Sequence, residues 1–254
     1  MADDFSHFAP RYRWGAVSPT GGGTRVRADA AYQLYKLAPN DILELSGGKG
    51  TELQLEDGKV DEAIANYWEA AAELAKEKAD VIVLSGVPVS ANFGRAKVQQ
   101  LLKETKDKFG IRATTPFEAF LAAMNHLGLK SVTIGSRWED GLNKKVVQYC
   151  KDGGIEVKSI TTRNQTVSVA SGMSFDVGLE TALGVGREAG KAGPDAEAIF
   201  VPGGAAMAIH VIPILEKEFN KPVLTNRSCE VWQNLVHPGV IPPLKGWGRL
   251  LATP

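Results

Sequence analysis

The sequence predicts an α/β fold of two pseudo-symmetric, flavodoxin-like parallel-sheet halves, with the functional site in the cleft between them. Three observations predict it. Short apolar runs rich in β-branched residues alternate with longer stretches of helical periodicity, and strands separated by helices imply parallel sheets. Two of those runs, in ADVIVLSGVPVSANFG at 79–94 and AEAIFVPGGAAMAIHVIPIL at 196–215, end in a glycine turn from which a helix departs. The order of elements also repeats. The runs that start at Trp14 and Val132 lie 118 positions apart (132 − 14), and so do those that start at Val81 and Ile199 (199 − 81). One offset relating two separate pairs points to duplicated halves, and it is too long for a solenoid repeat.

In chain order, strands are expected at 14–17, 42–45, 81–84, 111–113, 132–134, 155–160, 199–201 and 222–224. Those at 81–84 and 199–201 are apolar throughout, as strands covered on both faces must be. The clearest helices are expected at 61–78, 116–127, 140–151, 175–192 and 206–219, each with apolar residues three and four apart. Pro116 stands where a helix can start; Gly128, Gly153 and Gly154 stand where one must stop. The first half is read as 1–113 together with 226–254, the second as 114–225. Ligands of open parallel sheets bind beyond the carboxyl ends of the strands, so two facing halves place both glycine turns on one cleft.

Composition narrows the function. The 29 basic residues balance 29 acidic ones, and no basic cluster is interleaved with aromatics, so nucleic acid is not an expected partner. No apolar run approaches the roughly 20 residues that span a bilayer, and MADDFSHFAPRYRW carries no apolar signal core; a cytoplasmic protein with no membrane partner is expected. Two cysteines, Cys150 and Cys229, are too few for a disulfide framework or a thiolate metal site. His126 ends a helix and suits its negative pole, and His7 and His237 have no companions at ligand spacing, so no metal is expected. SGGKG at 46–50 lacks the Walker spacing and reads as a turn.

Five segments in this order and spacing carry a family resemblance: SPTGGGTR after the first strand, VLSGVPVSANFG after the third, ATTPFEAFLAAMNHLGLKSVTIGSRWEDGLN at mid-chain, FVPGGAAMAIHVIPILEKEF, and the ending KGWGRLL. The chain resembles the cysteine-dependent aspartate/glutamate racemase superfamily, most closely its arylmalonate decarboxylase and maleate isomerase branch. The resemblance covers nearly the whole chain. It implies two pseudo-symmetric halves around a cleft, a small carboxylic-acid ligand held by backbone amides and hydroxyls, no cofactor, and a cysteine facing the substrate from either half. Here the first thiol position falls at Gly86 and the second at Pro202, within one residue. Both thiols are missing. That excludes racemisation by two opposed thiols, thiolate addition to a double bond, and protonation of a carbanion by a thiol.

What survives is a means of holding an anion. Ser18 and Thr20 follow the first strand, Gly86 and Val87 the third, Thr114 and Thr115 the fourth, Pro202, Gly203 and Gly204 the seventh, and Thr225 and Asn226 the eighth. Hydroxyls, amides and glycine N–H groups at helix starts can cradle a carboxylate; singly, Ser, Thr and Asn there are equally helix caps. Trp138 stands where the decarboxylase and isomerase place a substrate-facing tyrosine, and reads either as a pocket wall or as a packed aromatic. Glu139 and Asp140 read as dipole-stabilised residues of a helix start or as the proton-moving groups, with Thr115 as a third catalytic candidate. His210 is expected to point away from the site. The leading expectation is a decarboxylase-like lyase that uses neither cofactor nor cysteine. A hydrolase or cis-trans isomerase with a non-cysteine base, and a non-catalytic carboxylate binder, stay open, as does a homo-oligomer.

Overall fold

A computed structural model of the chain describes residues 9–18, 29–38, 40–47, 60–166, 169, 173–203 and 207–254. The first sheet contains β1 (Tyr12–Val17), β2 (Ile42–Gly47), β3 (Val81–Leu84) and β4 (Arg112–Thr114); the second contains β5 (Ser131–Ile134), β6 (Glu156–Ile160), β7 (Ala198–Val201) and β8 (Val223–Thr225). All pairings are parallel, in the orders β2-β1-β3-β4 and β6-β5-β7-β8. Each expected strand forms, and the two halves share one topology. The central strands β3, β5 and β7 are buried at every residue, whereas β2 and β6 at the edges are partly exposed. In each sheet the chain moves outward in opposite directions from the two middle strands. The crevices beyond β1/β3 and β5/β7 are therefore switch points, where doubly wound sheets receive ligands.

The helices are α1 (Asp29–Leu37), α2 (Val60–Lys76), α3 (Val87–Phe93), α4 (Arg95–Phe109), α5 (Pro116–His126), α6 (Asp140–Asp152), α7 (Phe175–Ala192), α8 (Ile212–Phe219) and α9 (Asn226–Val231). The single helix expected over 206–219 needs correction. A 3-10 turn, Ala208–Val211, precedes α8, and Met207 before it has φ 51°. Pro213 has no N–H for the Ile209 carbonyl, so an unbroken α-helix through it would lose a bond; instead it sits in the first turn of α8. Gly94, with φ 76°, separates α3 from α4.

The two sheets exchange helices. α5 leaves β4 of the first sheet, yet its Phe117 stacks on Tyr149 of α6 at 4.2 Å and its Phe120 on Phe200 of β7 at 4.1 Å. α9 leaves β8 of the second sheet, yet it packs on α1 and lays the Arg227 guanidinium over the Trp14 ring of β1 at 5.5 Å. α5 and α9 lie against each other. Around this pair, α3 after β3 packs on α6 after β5, while the 3-10 turn after β7 reaches α1 after β1, where Ile209 N–H donates to Gln33 Oε1 at 3.3 Å. These reciprocal contacts turn the carboxyl ends of β1 and β3 toward those of β5 and β7.

Under α9 lies a buried charged cluster. Arg227 pairs with Glu230 at 3.3 Å, and both side chains are buried. Burial, with Glu44 adding to it and Arg227 opposing it, pushes the Glu230 carboxyl up to about 7; burial raises Glu44 as well. Desolvation thus outweighs the ion pair. A carboxyl raised on folding contributes stability that is full below its ordinary range and lost as pH rises through about 7. Urea unfolding midpoints measured between pH 5 and pH 8 should therefore fall with rising pH, and Glu230→Gln should flatten that slope. An unchanged slope in the variant would remove Glu230 as its source.

No helix among the described residues is long and apolar enough to cross a membrane.

Candidate active site

Each switch point holds a glycine that no other residue could replace without strain. Gly86 follows β3 with φ 102°, and Gly203 follows β7 with φ 108°. At the first switch point the backbone is tied by Ser85 N–H to the Val17 carbonyl (2.8 Å) and Ser18 N–H to the Gly47 carbonyl (3.3 Å). Val87 is buried, and the Ser18 side chain is exposed. Pro88 enters the first turn of α3, which follows Gly86 directly.

The second switch point carries a residue that sequence reasoning passed over. Arg137 leaves the end of β5 with only 4% of its surface exposed, and its guanidinium lies against Gly203. A Cβ placed on Gly203 would sit 2.7 Å from Arg137 Nη2 and 3.1 Å from its Cζ, so any other residue there would push the end of the Arg137 side chain aside. The loop that bears Arg137 is pinned on all sides. Ser136 Oγ accepts from Trp138 N–H (3.1 Å) and donates to Asn143 Oδ1 (2.6 Å). Asn143 Nδ2 donates to the Trp138 and Thr161 carbonyls at 3.2 and 3.1 Å. Thr161 and Thr162 hydroxyls donate to the Ser136 and Trp138 carbonyls, both at 2.6 Å. The Arg137 carbonyl accepts from Arg163 and Gln165 N–H at 3.2 and 3.0 Å. This network fixes the backbone from which the Arg137 side chain departs. The signal available in the sequence was an arginine three residues beyond a buried strand (137 − 134).

The hydroxyl set is largely committed to structure. Thr115 caps α5, its Oγ1 accepting from Glu118 N–H at 3.0 Å, and Thr225 caps α9 in a reciprocal box with Ser228. The two caps have nearly identical backbone angles, as duplicated positions should. Thr114 Oγ1 donates to Gln233 Oε1 at 2.8 Å. Asn226 is buried, and its Oδ1 has no hydrogen-bond partner among the described residues. Trp138 is packed in the hydrophobic core. Glu139 and Asp140 are exposed at the start of α6, where Glu139 occupies the N-cap position without a side-chain cap bond. Pro202 is buried beside Gly203; Thr20, Gly204 and residues 48–50 of the SGGKG turn lie outside the described residues.

Neither cysteine supplies a nucleophile. Cys150 and Cys229 are fully buried, and burial pushes the Cys150 thiol up to about 12 and the Cys229 thiol higher still. Cys150 sits on α6 and Cys229 on α9, neither in a switch-point turn. His210 packs between the rings of Tyr32 and Trp247, and burial, helped by Lys36, lowers its pKa. Among the described residues no group of three or more His, Cys, Asp or Glu is disposed to hold a metal ion.

With this geometry in hand, similarity to known proteins is consistent along the chain. The arylmalonate decarboxylase family model matches residues 45–251. Arylmalonate decarboxylase of Bordetella bronchiseptica is 24% identical over 239 residues, covering 93% of this chain and 95% of that protein. A liganded double mutant of arylmalonate decarboxylase superposes with a TM-score of 0.79 at 21% identity, over 94% of this chain and 98% of that one. The maleate isomerase of Pseudomonas putida S16 with maleate gives 0.75 at 19% identity, over 95% and 97%. A Nocardia farcinica maleate cis-trans isomerase mutant with a covalently bound succinylcysteine intermediate gives 0.78 at 15%, over 95% and 98%.

Proposed function

The chain belongs to the arylmalonate decarboxylase family, and from that premise we propose that it is a lyase acting on a small carboxylic acid without an organic cofactor and without a cysteine. The observation that carries this reading is the pairing of two positive-φ glycines, Gly86 and Gly203, at facing switch points from which both thiols are missing. The anion-holding backbone is kept while the family's proton donor is gone. In the proposed step the bond to one carboxylate breaks and carbon dioxide leaves. The electron pair passes into the remaining carboxylate as an enediolate, held by backbone N–H groups at the turns. The α-carbon then takes a proton from water, with Glu139 or Asp140 at the mouth of α6 relaying it from solvent. Val87, Trp138 and Pro202 supply the apolar wall.

A second reading, a carboxylate-binding protein without turnover, is favoured by the Thr115 and Thr225 oxygens being spent on caps. One experiment separates the two. Malonate, methylmalonate and phenylmalonate are incubated with the protein in D₂O and followed by proton NMR, with maleate and simple esters alongside for the isomerase and hydrolase variants. A monocarboxylate carrying one new deuterium is expected, at a rate unchanged after iodoacetamide treatment because both thiols are buried. Calorimetric binding without product would leave the binder; absence of both would end the two readings together.

A further inference from the structure

We propose that His126 and His237 form a two-histidine site for a divalent transition-metal ion of the zinc and nickel kind, apart from the glycine turns and independent of the carboxylate reading. The two residues are 111 positions apart (237 − 126), so no spacing in the sequence announces them. The exchanged helices bring them together. α5 starts at the Thr115 cap and ends at His126; α9 starts at the Thr225 cap and runs on through a π-turn, Trp232–Val236, to His237. The two imidazoles lie 5.7 Å apart, centre to centre, and pack on the Trp232 ring at 4.7 and 4.9 Å. Both histidines are exposed, whereas Trp232 is buried beneath them.

The hydrogen bonds leave lone pairs free for a ligand. The Thr253 hydroxyl donates to the Leu250 carbonyl at 2.8 Å, so its oxygen meets His126 Nε2, 3.3 Å away, as an acceptor. Nε2 therefore carries the proton and Nδ1 the lone pair. An outer N–H held by an oxygen is how metal-binding histidines have their tautomer set. Neither ring nitrogen of His237 has a hydrogen-bond partner among the described residues. The spacing also fits. A metal–nitrogen bond of about 2.1 Å puts an ion roughly 3.2 Å from each ring centre, and two rings at a tetrahedral angle are then about 5.2 Å apart. The observed separation exceeds that by about 0.5 Å (5.7 − 5.2), which a small rotation of exposed rings closes. Imidazole nitrogen selects zinc, nickel or copper over magnesium, and water completes the coordination. α5 packs on the second sheet and α9 on the first, so a bound ion would clamp the exchanged pair at their outer ends.

Calorimetry with zinc chloride near neutral pH in a non-coordinating buffer tests the site, with nickel and magnesium chlorides as further arms. Wild type should bind one zinc ion per chain and should not bind magnesium. An outer-shell partner alone is worth about ten- to a hundredfold in metal affinity, so His126→Ala and His237→Ala should each weaken zinc binding by at least about tenfold. Thr253→Val, which frees the His126 tautomer, should weaken it by less. Proton NMR of wild type needs no variant to fold: one equivalent of zinc should shift the His126 and His237 imidazole resonances together and leave His210, held between Tyr32 and Trp247, in place. No saturable zinc binding, binding that survives both alanine substitutions, or a shift of only one of the two imidazoles would overturn the site. Magnesium binding as tightly as zinc would overturn the ligand class.

Discussion

Gly203→Ala should cost on the order of 2–4 kcal/mol of stability. Two effects add. At φ 108° an alanine is strained by roughly 1–2 kcal/mol. Its Cβ would also lie 2.7 Å from Arg137 Nη2, so the end of that buried side chain must shift. Gly94 provides the control. It has φ 76° but nothing within 4 Å of its would-be Cβ, so Gly94→Ala should show the backbone penalty alone, roughly 1–2 kcal/mol. Urea unfolding of both variants measures the difference. In an Arg137→Met background the contact part of the Gly203→Ala penalty should shrink, and strict additivity there would mean that the two residues do not press on each other.

Glu118→Ala should destabilise the protein by about 3 kcal/mol. Glu118 accepts from Arg95 Nε at 2.9 Å, from Arg95 Nη2 at 3.4 Å and from the Tyr149 hydroxyl at 2.8 Å. Both charged side chains are mostly sheltered, 25% and 15% exposed, so the pair is worth more than a surface ion pair. Truncation takes the charged acceptor from the buried Tyr149 hydroxyl, which keeps only Thr115, while Arg95 keeps its bond to the Asp152 carbonyl at 2.8 Å. Glu118→Gln should cost about half as much. A spectroscopic signature accompanies the loss. Burial first, and the Glu118 charge second, hold the Tyr149 phenol far above its ordinary range, so ultraviolet titration of Glu118→Gln should show Tyr149 ionising at lower pH than in wild type. An unmoved titration would argue against the direct bond.

The sheets were legible because their cause is local. A fully buried strand such as VIVL or AIFV must be apolar at every residue, and the regular offset between the halves survived in where those runs begin. α4 is largely polar and α1, α3 and α9 are short, so periodicity alone did not separate them from loops. The site was harder to read for a different reason. A threonine before a helix looks the same whether its oxygen meets a backbone N–H or a ligand; Thr115 and Thr225 meet the N–H. Arg137 became visible only once β5 and β7 were neighbours, because its meaning depends on Gly203, 66 residues away (203 − 137).

The exchange of α5 and α9 bears on how the cleft can work. In many two-lobed proteins the lobes swing about a hinge to admit and enclose a ligand. Here such a swing would have to unstack Phe117 from Tyr149 and Phe120 from Phe200, and pull Arg227 off Trp14, all inside close-packed interiors. The spacing between the two glycine turns is therefore fixed by the hydrophobic cores themselves. Under the proposed function, selectivity among acids would then be set by the size of the side chains near the turns, not by how far the halves can part.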